Sequence, residues 1–334
     1  MKQELLDLYS TILNVDSTSG KESTLSMLLY ERLQAPHKEL LEVGDGSYNL
    51  LLQWGELPKV LFCTHVDTVP PYIAPAFSED GKVYGRGSCD AKGQIIALYG
   101  ACKELEYQGK SDFALLLTSG EETGSNGAKA FNGRLSAPLL VIGEPTSNYP
   151  VSATKGTQSY DLRFIGKPVH SGYPESGRSA IDIWMDFMME LEIESDFPRD
   201  KVLGETTWNV GLLKSGNPQN VLSPELTCRL YFRTTFASHE KVKEWISKKA
   251  SKILEITPRG GDAPLSYFVP EGFKGKPAAF GSDAPHLQGF EKKIICGPGS
   301  ILVAHTQDEF VQIADIEQAI TNNIRFYECC NKLL

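Results

Sequence analysis

The feature that most constrains this chain is a series of short apolar runs, each bounded by turn residues. Leu50-Leu51-Leu52, Val60-Leu61-Phe62, Ala114 to Leu117, Leu139 to Ile142 and Ile294-Ile295 are continuous rather than alternating. A strand buried on both faces reads this way, whereas a half-exposed strand alternates apolar and polar residues. Helical spacing intervenes in the segment Ala91 to Leu105, through Leu98, Ala101, Cys102 and Leu105, and residues 2–14 and 22–34 also read as helices. Strand–helix alternation predicts a mainly parallel sheet covered by helices.

The middle of the chain follows another pattern. From about 153 to 265 it reads as strand (Ser159 to Ile165), helix (Ala180 to Leu191), strand (Thr206 to Leu213), strand (Leu226 to Thr234), helix (Glu240 to Leu254) and a last strand. This β-α-β-β-α-β order is a small open sandwich with helices on one face. With 334 residues the chain is too long for one ordinary domain. The expected fold class is therefore α/β: a discontinuous mainly parallel-sheet domain over 1–152 and 266–334, with an α+β domain inserted over 153–265.

Composition excludes some partners. The net charge of −9 argues against nucleic acid and anionic membranes, which need a basic surface. The N-terminus MKQELLDLYSTIL lacks the apolar core of a secretory signal, and no run reaches membrane-span length. Seven cysteines, an odd count with no CxxC pair, fit a reduced, cytoplasmic compartment. Most of them are expected to be buried and inert.

In an open α/β sheet, ligands bind beyond the carboxyl ends of the strands. Val60-Leu61-Phe62 is followed by Thr64-His65-Val66-Asp67, and Ala114 to Leu117 by Ser119-Gly120-Glu121-Glu122. Leu139 to Ile142 leads into Gly143-Glu144-Pro145-Thr146, and Ile294-Ile295 into Gly297-Pro298-Gly299 and then Ala304-His305. Asp90 lies in Gly85-Arg86-Gly87-Ser88-Cys89-Asp90-Ala91-Lys92-Gly93, at the entrance to a helix. Five segments would thus bring two histidines and several carboxylates to one rim. Clustered carboxylates repel one another and are costly to bury unpaired. A pair of divalent ions resolves this, with Zn²⁺ favoured for an imidazole and carboxylate set and Co²⁺ or Mn²⁺ chemically open. Two ions about 3.5–4 Å apart can polarise a carbonyl and hold a hydroxide.

Each motif alone has a plainer explanation. A lone HxD is often a turn, and a lone Glu-Glu pair a solvated face. The glycines of 85–93 fit neither a dinucleotide fingerprint nor a phosphate loop, which argues against a nucleotide-binding oxidoreductase.

Taken in order, these motifs resemble the dinuclear-zinc aminoacylase and carboxypeptidase family. That family includes acetylornithine deacetylase, succinyl-diaminopimelate desuccinylase and carboxypeptidase G-type enzymes. The resemblance covers 64–70, 84–93, 120–125, 143–146 and 304–309, essentially the whole chain. It implies that His65 and Glu144 bind one metal, Glu122 and His305 the other, and Asp90 both. Asp67 would orient His65 from outside the ligand set, and Glu121 would be the general base. In the inserted segment, Gly166-Lys167-Pro168-Val169-His170-Ser171-Gly172 would present His170 to a tetrahedral oxyanion. Asn220, Arg233 and Ser282 match positions that touch substrate. His37 and His239 are expected at the surface, and His286 is left unassigned.

The resemblance further implies a homodimer through the inserted domain, which would also serve as a lid. Residues 281–285 and 297–309 resemble acetylornithine deacetylase more than the desuccinylase, which points to N-acetyl- or N-succinyl-L-ornithine as substrate. Other acylamino acids and a dipeptidase or aminopeptidase specificity stay open. A non-catalytic binding protein on the same fold is the reading from outside this class; the presence of Glu121 and every metal position argues against it.

Overall fold

The computed structural model describes residues 1–194 and 196–330. They fall into two units. The first comprises Met1–Ser152, Tyr267–Lys276 and the chain from Ser282 onward; the second comprises Ala153–Ser266 and Pro277–Gly281. The segment Pro277–Gly281 thus groups with the second unit, whereas its sequence reads as part of the first.

The first unit is built on a six-stranded sheet. From one edge to the other its strands are His37–Gly44, Ser47–Gln53, Phe113–Thr118, Val60–His65, Ala137–Ile142 and Phe290–Ile295. The last four run parallel, and the first two add an antiparallel hairpin at one edge. All five apolar runs lie in these strands. Every residue of Val60–His65 and of Phe113–Thr118 is buried, which explains why neither alternates. The edge strand His37–Gly44 was not expected. Its sequence HKELLEVG is charged and half exposed, as suits an edge that must not pair with another chain.

The helices Gln3–Leu13, Lys92–Tyr107 and Ile313–Cys330 pack together, and Lys92–Tyr107 lies against the central strands. That helix approaches Ile313–Cys330 closely at Gly100, where an added Cβ would sit 2.8 Å from the Ile320 side chain. The core gathers Phe62, Leu115, Leu117, Leu139, Val141 and Ile95 with Phe326 and Ile316. Burying each such side chain stabilises the fold by roughly 1.5–3 kcal/mol.

The second unit has an antiparallel sheet in the order Thr207–Lys214, Glu225–Thr234, Gly156–Ile165, Leu254–Gly260. Its helices are Ala180–Glu194 and His239–Ser247. Burial alternates strictly along Glu225–Thr234, so Leu226, Cys228, Leu230 and Phe232 face the helices. The chain order is the expected β-α-β-β-α-β. Several boundaries move, the largest shift being in the second helix, which ends at Ser247, while Leu254 opens the last strand. There Ile256 alternates with Glu255 and Thr257, a period of two that overrides continued helix.

His239 is buried rather than at the surface, and its Nδ1 is satisfied there by a hydrogen bond shared with the Thr234 hydroxyl at 2.7 Å. His37 is exposed on the edge strand. Among the described residues no disulfide forms, and six of the seven cysteines are buried. No helix among them is long and apolar enough to cross a membrane.

Candidate metal centre

The parallel register explains how distant residues meet. His65 pairs with Thr118 and Cys63 with Ile142, so His65, residues 119–122 and Glu144 leave the sheet together at the carboxyl ends of three parallel strands. Asp90 reaches the same place from the turn that precedes the Lys92–Tyr107 helix. His305 arrives from a loop between the last sheet strand and the C-terminal helix, with a φ of 64°. That left-handed conformation is uncommon outside glycine and aims a single side chain.

Two groups of ligand atoms result, each with its atoms within 4.8 Å of one another: His65, Asp90 and Glu144, and Asp90, Glu122 and His305. Asp90 belongs to both. Its Oδ1 lies 3.0 Å from His65 Nε2, and its Oδ2 lies 3.3 Å from His305 Nε2. His305 Nε2 is also 3.0 Å from Glu122 Oε1. One carboxylate therefore presents a separate oxygen to each imidazole.

The electrostatics fit divalent cations. Burial pushes the Glu144 and Glu121 carboxyls well above the usual range, and neighbouring carboxylates add to this. Burial alone would raise the Asp90 pKa too, but hydrogen bonds from His305 and His65 hold it well below the ordinary value. Hydrogen bonds to Asp90 and Glu122 push His305 up to about 10. A cation among these carboxylates would compensate charge that is costly to bury unpaired. Two imidazoles with three carboxylates form a donor set suited to Zn²⁺, and chemically to Co²⁺ or Mn²⁺.

Asp67 takes a role that the sequence pattern does not separate. The partner nearest to His65 Nδ1 is the Asp67 carbonyl oxygen at 2.9 Å; the carboxylate is at 3.5 Å. With Nδ1–H donated there, Nε2 is the ring nitrogen left to face Asp90. The Asp67 carboxylate instead accepts the backbone N–H groups of Glu121 at 3.0 Å and Glu122 at 3.2 Å, and the Ser19 hydroxyl at 3.0 Å. One residue organises both the His65 strand end and the Glu121-Glu122 turn.

Ser282 is buried, and its hydroxyl accepts the Ala284 N–H at 3.3 Å within its own loop. The neighbouring Asp283, to which sequence reasoning gave no role, reaches further into the first unit. It accepts the Thr118 hydroxyl at 2.7 Å, and burial raises its pKa. Arg86 and Glu309 lie within the segments 84–93 and 304–309. They form a buried ion pair.

His170, Asn220 and Arg233 belong to the second unit. His170 bridges to Val221, and the Asn220 carbonyl accepts the Ser171 N–H at 2.8 Å, so His170 and Asn220 sit on adjoining loops. The exposed His170 accepts the Gly172 N–H at Nδ1, 3.1 Å away. A neutral ring then carries its proton on Nε2 and offers a donor outward. Arg233 lies on the Glu225–Thr234 strand with its guanidinium 5.1 Å from the Tyr231 ring centre.

A parallel sheet whose strand ends deliver this ligand set defines a metal-dependent hydrolase class. The model of peptidase family M20/M25/M40 matches residues 61–328, and the chain belongs to that family, whose members hydrolyse amide bonds. A peptidase M20 domain-containing protein of Schizosaccharomyces pombe is 30% identical over 331 residues, 95% of this chain and 82% of that protein. A probable carboxypeptidase of Neosartorya fischeri is 27% identical, over 95% of this chain and 84% of its own length. Among solved structures, a tripeptidase from Staphylococcus aureus has a TM-score of 0.80 at 22% identity, covering 98% of both chains.

Proposed function

We propose that this chain is a two-metal amidohydrolase that cleaves the linear amide of a small N-acylated amino acid, with N-acetyl- or N-succinyl-L-ornithine as the first candidates. The single observation that carries the reaction type is the sharing of Asp90 between the His65–Glu144 and His305–Glu122 groups. His65 and Glu144 would hold one ion, Glu122 and His305 the other, and Asp90 both. When bound, the ions supply Lewis-acid polarisation of the scissile carbonyl and make hydroxide available near neutral pH.

Glu121 lies outside both ligand groups, yet its backbone N–H is held by the Asp67 carboxylate, which also holds that of Glu122. Its carboxylate takes a proton from the attacking water and passes it to the departing nitrogen. His170 offers its Nε2–H to the oxyanion as the carbonyl carbon becomes tetrahedral. Arg233 grips a substrate carboxylate, and Asn220 contributes a polar contact. Ser282 keeps its hydroxyl within its own turn and acts on substrate through the placement of that loop.

The second reading, removal of the C-terminal residue of a short peptide, is favoured by relatives named as probable carboxypeptidases. Both substrates present an amide beside a free carboxylate, so they share the metal chemistry and differ in the group upstream of the bond.

A homodimer through the second unit completes the proposal. Its support is a run of exposed apolar side chains: Met185 at 52%, Met189 at 59% and Ile193 at 80% along one helix, with Leu212 at 71% and Leu213 at 51% on the sheet's edge strand. The proposed setting is cytoplasmic.

The deciding assay is hydrolysis of N-acetyl-L-ornithine, N-succinyl-L-ornithine and a dipeptide panel by Zn²⁺-loaded protein, with Glu121→Ala as control. Turnover of an acylornithine that is lost in the control supports the first reading. Turnover confined to peptides replaces it with the second. A loaded protein that cleaves none of them contradicts both.

A further inference from the structure

Glu309 is fully buried, and its carboxylate is divided between two tasks. One oxygen accepts the Arg86 guanidinium, itself only 2% exposed. The other, Oε1, accepts three backbone N–H groups: Gly87 at 3.0 Å, Cys89 at 3.1 Å and Asp90 at 3.1 Å. The Glu309 carbonyl oxygen also accepts the Gly85 N–H at 3.0 Å, where Phe310–Gln312 pairs with Lys82–Tyr84. Residues 86–91 form a turn without ladder partners, so these N–H groups need an acceptor from elsewhere.

A buried carboxylate is costly unless it is paired and hydrogen-bonded. Here every compensating bond falls on the loop that carries Asp90. Four residues earlier in the same segment, His305 Nε2 lies 3.3 Å from the Asp90 side chain. The 305–309 segment therefore holds Asp90 at both ends, by its side chain through His305 and by its backbone through Glu309.

We infer that Glu309 is a positioning residue for the whole metal centre: it fixes the 86–90 loop so that Asp90 serves both ions at once. This rests on the two-metal reading above. Glu144 and Glu122 each belong to one ligand group, whereas Asp90 belongs to both. Loss of Glu309 frees three N–H groups and the Arg86 cation, and the loop that seeks new partners carries Asp90 with it. Both ions weaken in parallel, which loss of a ligand to one ion does not produce.

The test is titration of the metal-free full chain with Co²⁺ alone, followed by absorption and by electron paramagnetic resonance. Unsubstituted protein should bind two ions with a spin-coupled spectrum. Glu309→Ala should weaken both ions together, by about 10–100-fold, the range for partners that orient ligands, and lose the coupling. Glu144→Gln should weaken chiefly one. Glu309→Gln keeps an acceptor for the N–H groups but loses the charge facing Arg86, so a smaller parallel loss is expected, and it decides the matter should the alanine variant fail to fold. Unchanged affinities and coupling in a folded Glu309 variant, with only a lower melting temperature, would overturn the inference. Unsubstituted protein that binds fewer than two ions would overturn the metal centre itself, a failure seen before any substitution is made.

Discussion

The carboxylate of Asp67 accepts the backbone N–H of Glu121 at 3.0 Å. It accepts the Glu122 N–H and the Ser19 hydroxyl as well, while the Asp67 carbonyl faces His65. The side chain two residues past His65 therefore acts mainly on the turn opposite. Asp67→Ala should leave three donors without an acceptor and let the Glu121-Glu122 turn relax. Metal affinity is expected to fall about 10–100-fold, with a lower kcat, checked by calorimetric titration and steady-state assays. Affinity and kcat within twofold of the parent would remove Asp67 from the machinery.

Glu121→Gln separates proton transfer from metal binding. Glu121 lies in neither ligand group, so the variant should retain two ions by elemental analysis. Its kcat should drop about 10²–10⁴-fold, the range for a positioned acid–base group. Loss of an ion in this variant would show that Glu121 is a ligand instead.

Proton linkage gives a third expectation. His305 is pushed up to about 10 by its hydrogen bonds to Asp90 and Glu122, against an ordinary 6.5. A metal ion needs the neutral ring, so binding at pH 7–8 should release protons and affinity should rise with pH. Calorimetry in buffers of different ionisation enthalpy measures that release. In the metal-free chain the raised folded-state pKa means that His305 contributes stability fully below about 6.5, and this contribution disappears as pH rises through about 10. The difference in melting temperature between the metal-free parent and His305→Gln should shrink across that window. A difference that grows with pH would reverse the assignment.

Much of the centre was legible because three of the five proposed ligands, His65, Glu122 and Glu144, lie at or just past the ends of apolar runs, whereas Asp90 comes from a turn and His305 from a loop. Val60–His65 and Phe113–Thr118 are buried on both faces, so their sequences are unbroken apolar stretches that stop where the chain reaches the site. The edge strand His37–Gly44 was not legible, since charges that guard an edge look like a loop. Glu309 escaped because its partners are more than two hundred residues away. Asp283 escaped for a related reason: only the fold brings it to the Thr118 hydroxyl. His239 is buried with its Nδ1 against the Thr234 hydroxyl, a contact that no periodicity announces.

The proposed dimer makes a fourth expectation. Met189 and Leu213 are 59% and 51% exposed on the second unit. Met189→Glu together with Leu213→Glu should place charge in an apolar contact and shift the chain to monomer in analytical ultracentrifugation. The metal content should stay unchanged, because all five proposed ligands lie in the first unit. A double variant that sediments as the parent does would argue against this surface.

The central claim is that one carboxylate, Asp90, serves two ions. Metal content of purified protein, measured beside Asp90→Asn after dialysis against trace Zn²⁺, tests it most directly. The account predicts two ions per chain in the parent and loss of both in Asp90→Asn. A variant that keeps one tightly held ion, or a parent that never binds more than one, would contradict it.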